Sequence, residues 1–217
     1  MSGLWTYLTL HDRVIWDWTV TTIWLAALPL FIGLGLALPV GWLASNVRWT
    51  YSPLVGVASL LYTIPSLVMF LVLPGLLGTT ILDPLNVAVA LTVYVFALMT
   101  RTVADALSSV PPELLSSSEA MGHTAVQRFS SVQLPLAVPV IAAGLRVAAV
   151  SNVSLISVAS IIGVSQLGQL FAIGSSTDSA TPIVLGLILF VLLATAFDLV
   201  ILGVTRTLTP WRRGATS

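Results

Sequence analysis

The sequence predicts an all-α polytopic membrane protein, with about five transmembrane helices and a cytoplasmic helical segment between spans three and four. Three observations carry this reading. Of the 217 residues, 57% are hydrophobic and only 7% are charged, whereas soluble domains carry roughly 25% charged residues. The mean hydropathy of +1.04 is more than a soluble fold can hide, so the solvent is largely lipid. The charge-free runs are long enough to cross a bilayer, and one long polar stretch, Pro111 to Pro139, interrupts them.

About 20 apolar residues span a bilayer as a helix. Span one is expected at about 19–44, between Asp17 and Arg48, and span two at about 53–77, between Arg48 and Asp83. Span three is expected at about 85–106, with Arg101 and Asp105 at its end, four apart on one face and so placed to pair along the helix. Span four, about 136–162, contains Arg146, and span five, about 181–206, contains Asp198. Before span one, Trp5, Tyr7, Trp16 and Trp18 suit a segment lying near the headgroups, or a loose terminus with chance aromatics. Nothing there reads as a cleavable signal. The whole chain reads as one transmembrane domain, without internal repeats or low-complexity tracts.

Arginine placement orients the spans. With the segment at about 107–135 in the cytoplasm, Arg48, Arg101, Arg128, Arg206, Arg212 and Arg213 fall on or near the inner side, and Arg13 outside. The positive-inside rule therefore puts the N-terminus outside and the C-terminus inside. Pro29, Gly33, Gly35 and Pro39 in span one, and Pro65 and Pro74 in span two, interrupt the helices. Such breaks serve either a cavity or close packing through small residues.

The polar segment reads as two short helices. Pro111-Pro112 and Glu113 open the first, about 112–121, because proline fits the first turn and a carboxylate suits the helix dipole. Gly122 is its left-handed cap. Thr124 to Gln127 reads as a capping box for a second helix, about 125–133, which Leu134-Pro135 ends before span four begins. On spacing alone this is either a plain loop with helical content or a knob for a cytoplasmic partner.

Chemistry of other kinds is excluded or unsupported. There is no cysteine, so no disulfide or thiolate site. All cations are arginine, so a phosphate-binding loop lacks its lysine and the chain cannot hydrolyse ATP by that chemistry. His11 and His123 show no metal-ligand spacing, and no metal site or bound cofactor is expected. No nucleophile–base set and no basic patch for nucleic acid stands out.

Here the sequence resembles a family. Permeases of binding-protein-dependent ABC importers carry a cytoplasmic motif of the form EAA-xxx-G-(nine residues)-I-x-LP. Nine residues follow Gly122 before Val132-Gln133-Leu134-Pro135, so the second half matches. The EAA positions hold Ser116, Ser117 and Ser118, and Glu119 stands three residues beyond the motif's glutamate position. The stretches YTIPSLVMF (62–70), LMTRT (98–102), AGLRVAAV (143–150) and IIGVSQLGQL (161–170) resemble osmoprotectant permeases of the glycine betaine, carnitine and choline class. Methionine-type permeases share the five-span plan.

The resemblance implies a type I importer fold in a bacterial or archaeal plasma membrane. It also implies a coupling helix that docks on an ATP-hydrolysing subunit through Glu113, Ser116, Ser117, Ser118, Glu119, Ala120, Gly122, Val132, Leu134 and Pro135. The implied partners are two ATPase subunits, a second permease copy or paralogue, and an external solute-binding protein. ATP would be used by the partner subunit. The expected path residues are Tyr62, Pro65, Ser66, Arg146, Ser151, Asn152, Ser154 and Ser157. The serines, at every third position of span four, suit either close packing or a path wall. Arg146 suits either a structural role or gating and subunit contact. Tyr62 and the span tryptophans suit a cation–π route for a quaternary ammonium or, for the tryptophans, an interfacial belt. A secondary transporter would need mid-membrane carboxylates, and only Asp198 qualifies. A membrane scaffold would leave the Gly122–Pro135 spacing a coincidence.

Overall fold

The computed structural model describes residues 2–211 and is helical throughout, joined by turns. In order the helices are α1 (Ser2–Leu10), α2 (Asp12–Asn46), α3 (Arg48–Thr63), α4 (Ser66–Leu77), α5 (Pro84–Ser108) and α6 (Pro112–Ala120). There follow α7 (Ala125–Arg128), a π-helical turn (Phe129–Gln133), α8 (Leu134–Val158), α9 (Gln169–Ser176) and α10 (Ala180–Leu208). Four helices are long and apolar enough to cross a membrane, and the bent pair α3–α4 makes up to five. Arg212 and Arg213, used in the orientation argument, lie outside the described residues.

Helix α5 is the central post. Asp83 caps it by accepting from the Leu85 amide at 2.9 Å, and Pro84 occupies its first turn. It packs against α2, α3, α4 and α8. Its tightest neighbour is α2, where small residues allow close approach. A Cβ added at Gly33 would lie 2.6 Å from Val95 Cγ1, and one at Gly41 would lie 2.6 Å from Val103 Cγ1. Of the two readings of the interrupted first span, close packing is the one seen at Gly33 and Gly41. Gly41→Leu is expected to force α2 off α5 and to cost roughly 3 kcal/mol, the upper end for overpacking. Thermal unfolding of the purified chain in detergent would check this, with Gly35→Leu as control, because a Cβ there meets nothing within 4 Å.

Three sequence expectations change in detail. The second span, expected as one helix at 53–77, is two helices bent by 98°. Ile64 and Pro65 are extended at the break, and Pro65 cannot supply the amide that would continue the helix. The expected stop at Leu134-Pro135 does not occur, because α7, the π turn and α8 run on as one 34-residue helix. In a regular α-helix the Pro135 ring would strike the carbonyl four residues back, and the wider π turn just before it removes that conflict. Finally, α8 ends at Val158 rather than 162, in a turn closed by Gly163 at φ +86°. The stretch after it folds back into the core, with Val164, Gln166, Leu167 and Leu170 fully buried. The Leu167 amide donates to Thr22 Oγ1 at 3.1 Å, tying this loop to α2.

Candidate functional site

The polar segment folds as a knob. Helix α6 ends in a Schellman turn: the Gly122 amide donates to the Glu119 carbonyl at 2.9 Å and the His123 amide to the Ser118 carbonyl at 3.2 Å. Gly122 has φ +82°, as a left-handed cap requires. The buried Ser118 hydroxyl pairs with His123 Nδ1 at 2.8 Å, bracing the same turn. Thr124 and Gln127 form the expected capping box, with both reciprocal bonds present. Trp42 of α2 packs on Phe129 at 5.4 Å between ring centres, which anchors the knob to the spans. Glu113, Leu114, Ser116, Ser117, Glu119 and Ala120 remain exposed on α6, as does Met121 just after it, while Val132, Leu134 and Pro135 are half-buried.

Helix α8 carries the polar residues of the membrane region. Positions three apart on an α-helix are offset by about 60° in rotation, so the serine row winds around the helix. Ser151 accordingly faces a small hollow with Tyr62, Tyr94 and Leu155. Ser154 and Ser157 face a different space, a groove shared with Phe171 of α9 and Leu187, Phe190, Val191 and Ala194 of α10. Asn152 is buried, and its amide donates to the Ala26 carbonyl at 3.0 Å, joining α8 to α2. The serines therefore line two spaces, not one wall.

One turn from that groove, Arg146 and Asp198 form a two-pronged ion pair between α8 and α10. Arg146 Nε donates to Asp198 Oδ1 at 2.6 Å and Nη2 to Oδ2 at 2.8 Å. The planar guanidinium fork matches the carboxylate edge.

At the α3–α4 break, the Tyr94 hydroxyl of α5 donates to the Ile64 carbonyl, which the break has left without a helical partner. Tyr62 packs edge-on against Tyr94, 5.8 Å between ring centres. Pro65 is exposed and Ser66 half-buried at the start of α4.

Known proteins match this chain in sequence and in fold. Residues 30–212 match the family described as binding-protein-dependent transport system inner membrane component. The chain belongs to this family. It is similar to the osmoprotectant import permease protein OsmW of Salmonella typhimurium, 33% identical over 195 residues, 88% of this chain and 90% of that one. It is also similar to the glycine betaine/carnitine/choline transport system permease protein OpuCD of Bacillus subtilis, 32% identical over 179 residues, 82% and 77% of the two chains. Among solved structures, an inward-facing MetNI methionine ABC transporter chain superposes with TM-score 0.83 at 23% identity, covering 92% of this chain and 98% of that one. At that identity the likeness establishes the fold.

The protein is thus the permease subunit of an ABC importer, a multi-pass membrane component. Within the permease, four arrangements escaped the sequence reading. The Arg146–Asp198 pair was open to inference, because these are the charges deepest in the spans and such charges pair. The Tyr94 contact and the Phe171–Phe190 stack, at 5.5 Å between ring centres, have no local signature.

The fourth concerns Glu119. The resemblance counts it among the docking residues, three positions beyond the motif's glutamate. In the fold its carboxylate pairs with Arg128 of α7, a side chain only 15% exposed. The pair joins the two knob helices across the Gly122 turn. Glu119→Gln and Arg128→Gln are each expected to weaken ATPase-subunit copurification several-fold, with no further loss in the double variant. An anchor aimed at the ATPase would instead make Glu119→Gln far worse than Arg128→Gln.

Proposed function

We propose that this permease imports a quaternary ammonium osmoprotectant, of the glycine betaine, carnitine or choline type, using ATP hydrolysed by a partner. The observation that carries the reading is the near full-length similarity to permeases named for these solutes, 33% identity over 88% of the chain for one and 32% over 82% for another. The methionine transporter likeness concerns the fold and does not bear on the solute.

The complete importer comprises two such permeases, as identical copies or a paralogous pair, two ATPase subunits and an external solute-binding protein. A single chain presents grooves on α8 and α10 but does not enclose a path. The chain has no ATPase site of its own, consistent with the absence of any lysine for a phosphate loop. The knob α6–α7 docks on the ATPase through its exposed face, Glu113, Ser116, Ser117 and Ala120 foremost, with Gly122 setting its angle and Val132, Leu134 and Pro135 supporting it. Tyr62, Pro65, Ser66, Ser151, Ser154 and Ser157 face the translocation region. Asn152 holds α8 in place behind them. The N-terminus lies outside and the C-terminus in the cytoplasm.

The test is uptake of radiolabelled glycine betaine and choline into vesicles carrying the assembled importer. Uptake should need ATP inside and survive collapse of ion gradients. Gradient-dependent uptake, or transport of methionine in place of these solutes, would overturn the reading. Single cysteines placed in this cysteine-free chain at positions 80 and 175 should react with an impermeant reagent from outside. Reaction from the cytoplasm alone would reverse the topology.

A further inference from the structure

We infer that the groove between α8 and α10 is a transient subsite for a zwitterionic quaternary ammonium solute, its carboxylate end directed at Arg146. The inference rests on the functional reading above and adds a location and a polarity to it. The groove encloses about 280 Å³, close to the lower end of the range for small-molecule sites of about 300–1,000 Å³. Its walls differ along its length. At the end near α9, the stacked rings of Phe171 and Phe190 form an aromatic wall, and Phe190 is buried. Aromatic faces attract an ammonium that cannot donate hydrogen bonds, because the ring quadrupole acts on the charge itself. In the middle stand Ser154 and Ser157.

A charged pair stands just beyond the groove. Val150 and Ala194 line the knob-ward end of the groove. One helical turn further, on the same faces of the same two helices, stand Arg146 and Asp198. Arg146 uses two N–H donors on Asp198. A guanidinium has five, so three remain for a second carboxylate. The aromatic wall and the Arg146 guanidinium therefore lie toward opposite ends of the α8–α10 seam, as the ammonium and the carboxylate lie at opposite ends of a betaine.

The pair also indicates which way the groove faces. Arg146 is roughly 18 Å from the far end of α8, and Asp198 about 15 Å from the Leu208 end of α10, at 1.5 Å per residue. Both sit within hydrocarbon depth, yet their side chains are 39% and 27% exposed on the isolated chain. A charged pair at that depth faces protein or water, not lipid tails. The α8–α10 face is accordingly turned toward the path or a second permease.

The experiment uses the assembled importer carrying Ser154→Cys as its single cysteine. The rate of reaction with a small hydrophilic thiol reagent is measured against increasing glycine betaine and, separately, tetramethylammonium, which lacks the carboxylate. Both should protect the cysteine. Adding Arg146→Lys, which keeps the charge and loses the fork, should raise the half-protecting concentration of glycine betaine at least tenfold and leave that of tetramethylammonium within twofold. Protection by neither solute, or an equal shift for both, overturns the subsite. So does a cysteine that reacts only with a membrane-soluble maleimide, the signature of lipid in the groove. Uptake by the unaltered importer is read alongside. Absence of quaternary ammonium uptake sinks the functional reading, whereas intact uptake without protection sinks the subsite alone.

Discussion

Gly122→Val is expected to reduce copurified ATPase subunit and solute-stimulated hydrolysis at least tenfold, while the spans insert normally. The reason is conformational and not steric. A Cβ at Gly122 meets nothing within 4 Å, but the residue holds φ +82°. An L-residue pays roughly 1–2 kcal/mol there, and a β-branched one more. Relief of that strain dissolves the turn whose amides bond to the Glu119 and Ser118 carbonyls. The Ser118–His123 contact and the Glu119–Arg128 pair both cross that turn, so they are lost with it. Helix α6 would then leave α7 at a new angle and miss its groove on the partner. Gly122→Asn is the control, since asparagine visits the left-handed region readily. It should retain at least half of the copurified subunit. Normal assembly and transport with valine would sink the assignment of α6 as the coupling helix.

Asp198→Ala is expected to lower the amount of folded, assembled permease recovered from membranes by an order of magnitude. Its removal leaves Arg146 unpaired at a depth where a lone cation must find water or the interface. The double replacement Arg146→Leu with Asp198→Leu should restore recovery, because the cost lies in the orphaned charge and not in the loss of the pair. Recovery is measured by size-exclusion chromatography of detergent extracts. The double variant should assemble yet fail to distinguish glycine betaine from tetramethylammonium in the thiol-protection experiment. If the double variant were as poorly recovered as Asp198→Ala, the pair would be holding α8 to α10 through geometry that leucines cannot replace.

What the sequence determined by itself were the properties that depend on neighbours in the chain. The span count follows from runs without charge, since each helix satisfies its own backbone in lipid and needs only length and apolarity. The cap at Gly122 and the capping box from Thr124 to Gln127 are local hydrogen-bond chemistry, complete within a few residues. The family was legible because G-(nine)-V-Q-L-P and YTIPSLVMF are short linear patterns. Tertiary structure decided everything that joins residues far apart. The 98° break at Ile64–Pro65 was visible as a proline but not as a bend, because its depth depends on Tyr94 holding the Ile64 carbonyl from another helix. The π turn before Pro135 let a helix continue where proline ordinarily marks a stop, and only the packing of Phe129 on Trp42 and of α8 on α5 rewards that continuation. Glu119 carried no sign that Arg128 would claim it. The serine row suggested one wall, because period three looks regular in sequence. On a helix of 3.6 residues per turn it winds away, and neighbouring helices decide which serine faces which space. Arg146 and Asp198 stand 52 residues apart. Only the antiparallel return of α10 alongside α8 turns two isolated charges into a pair.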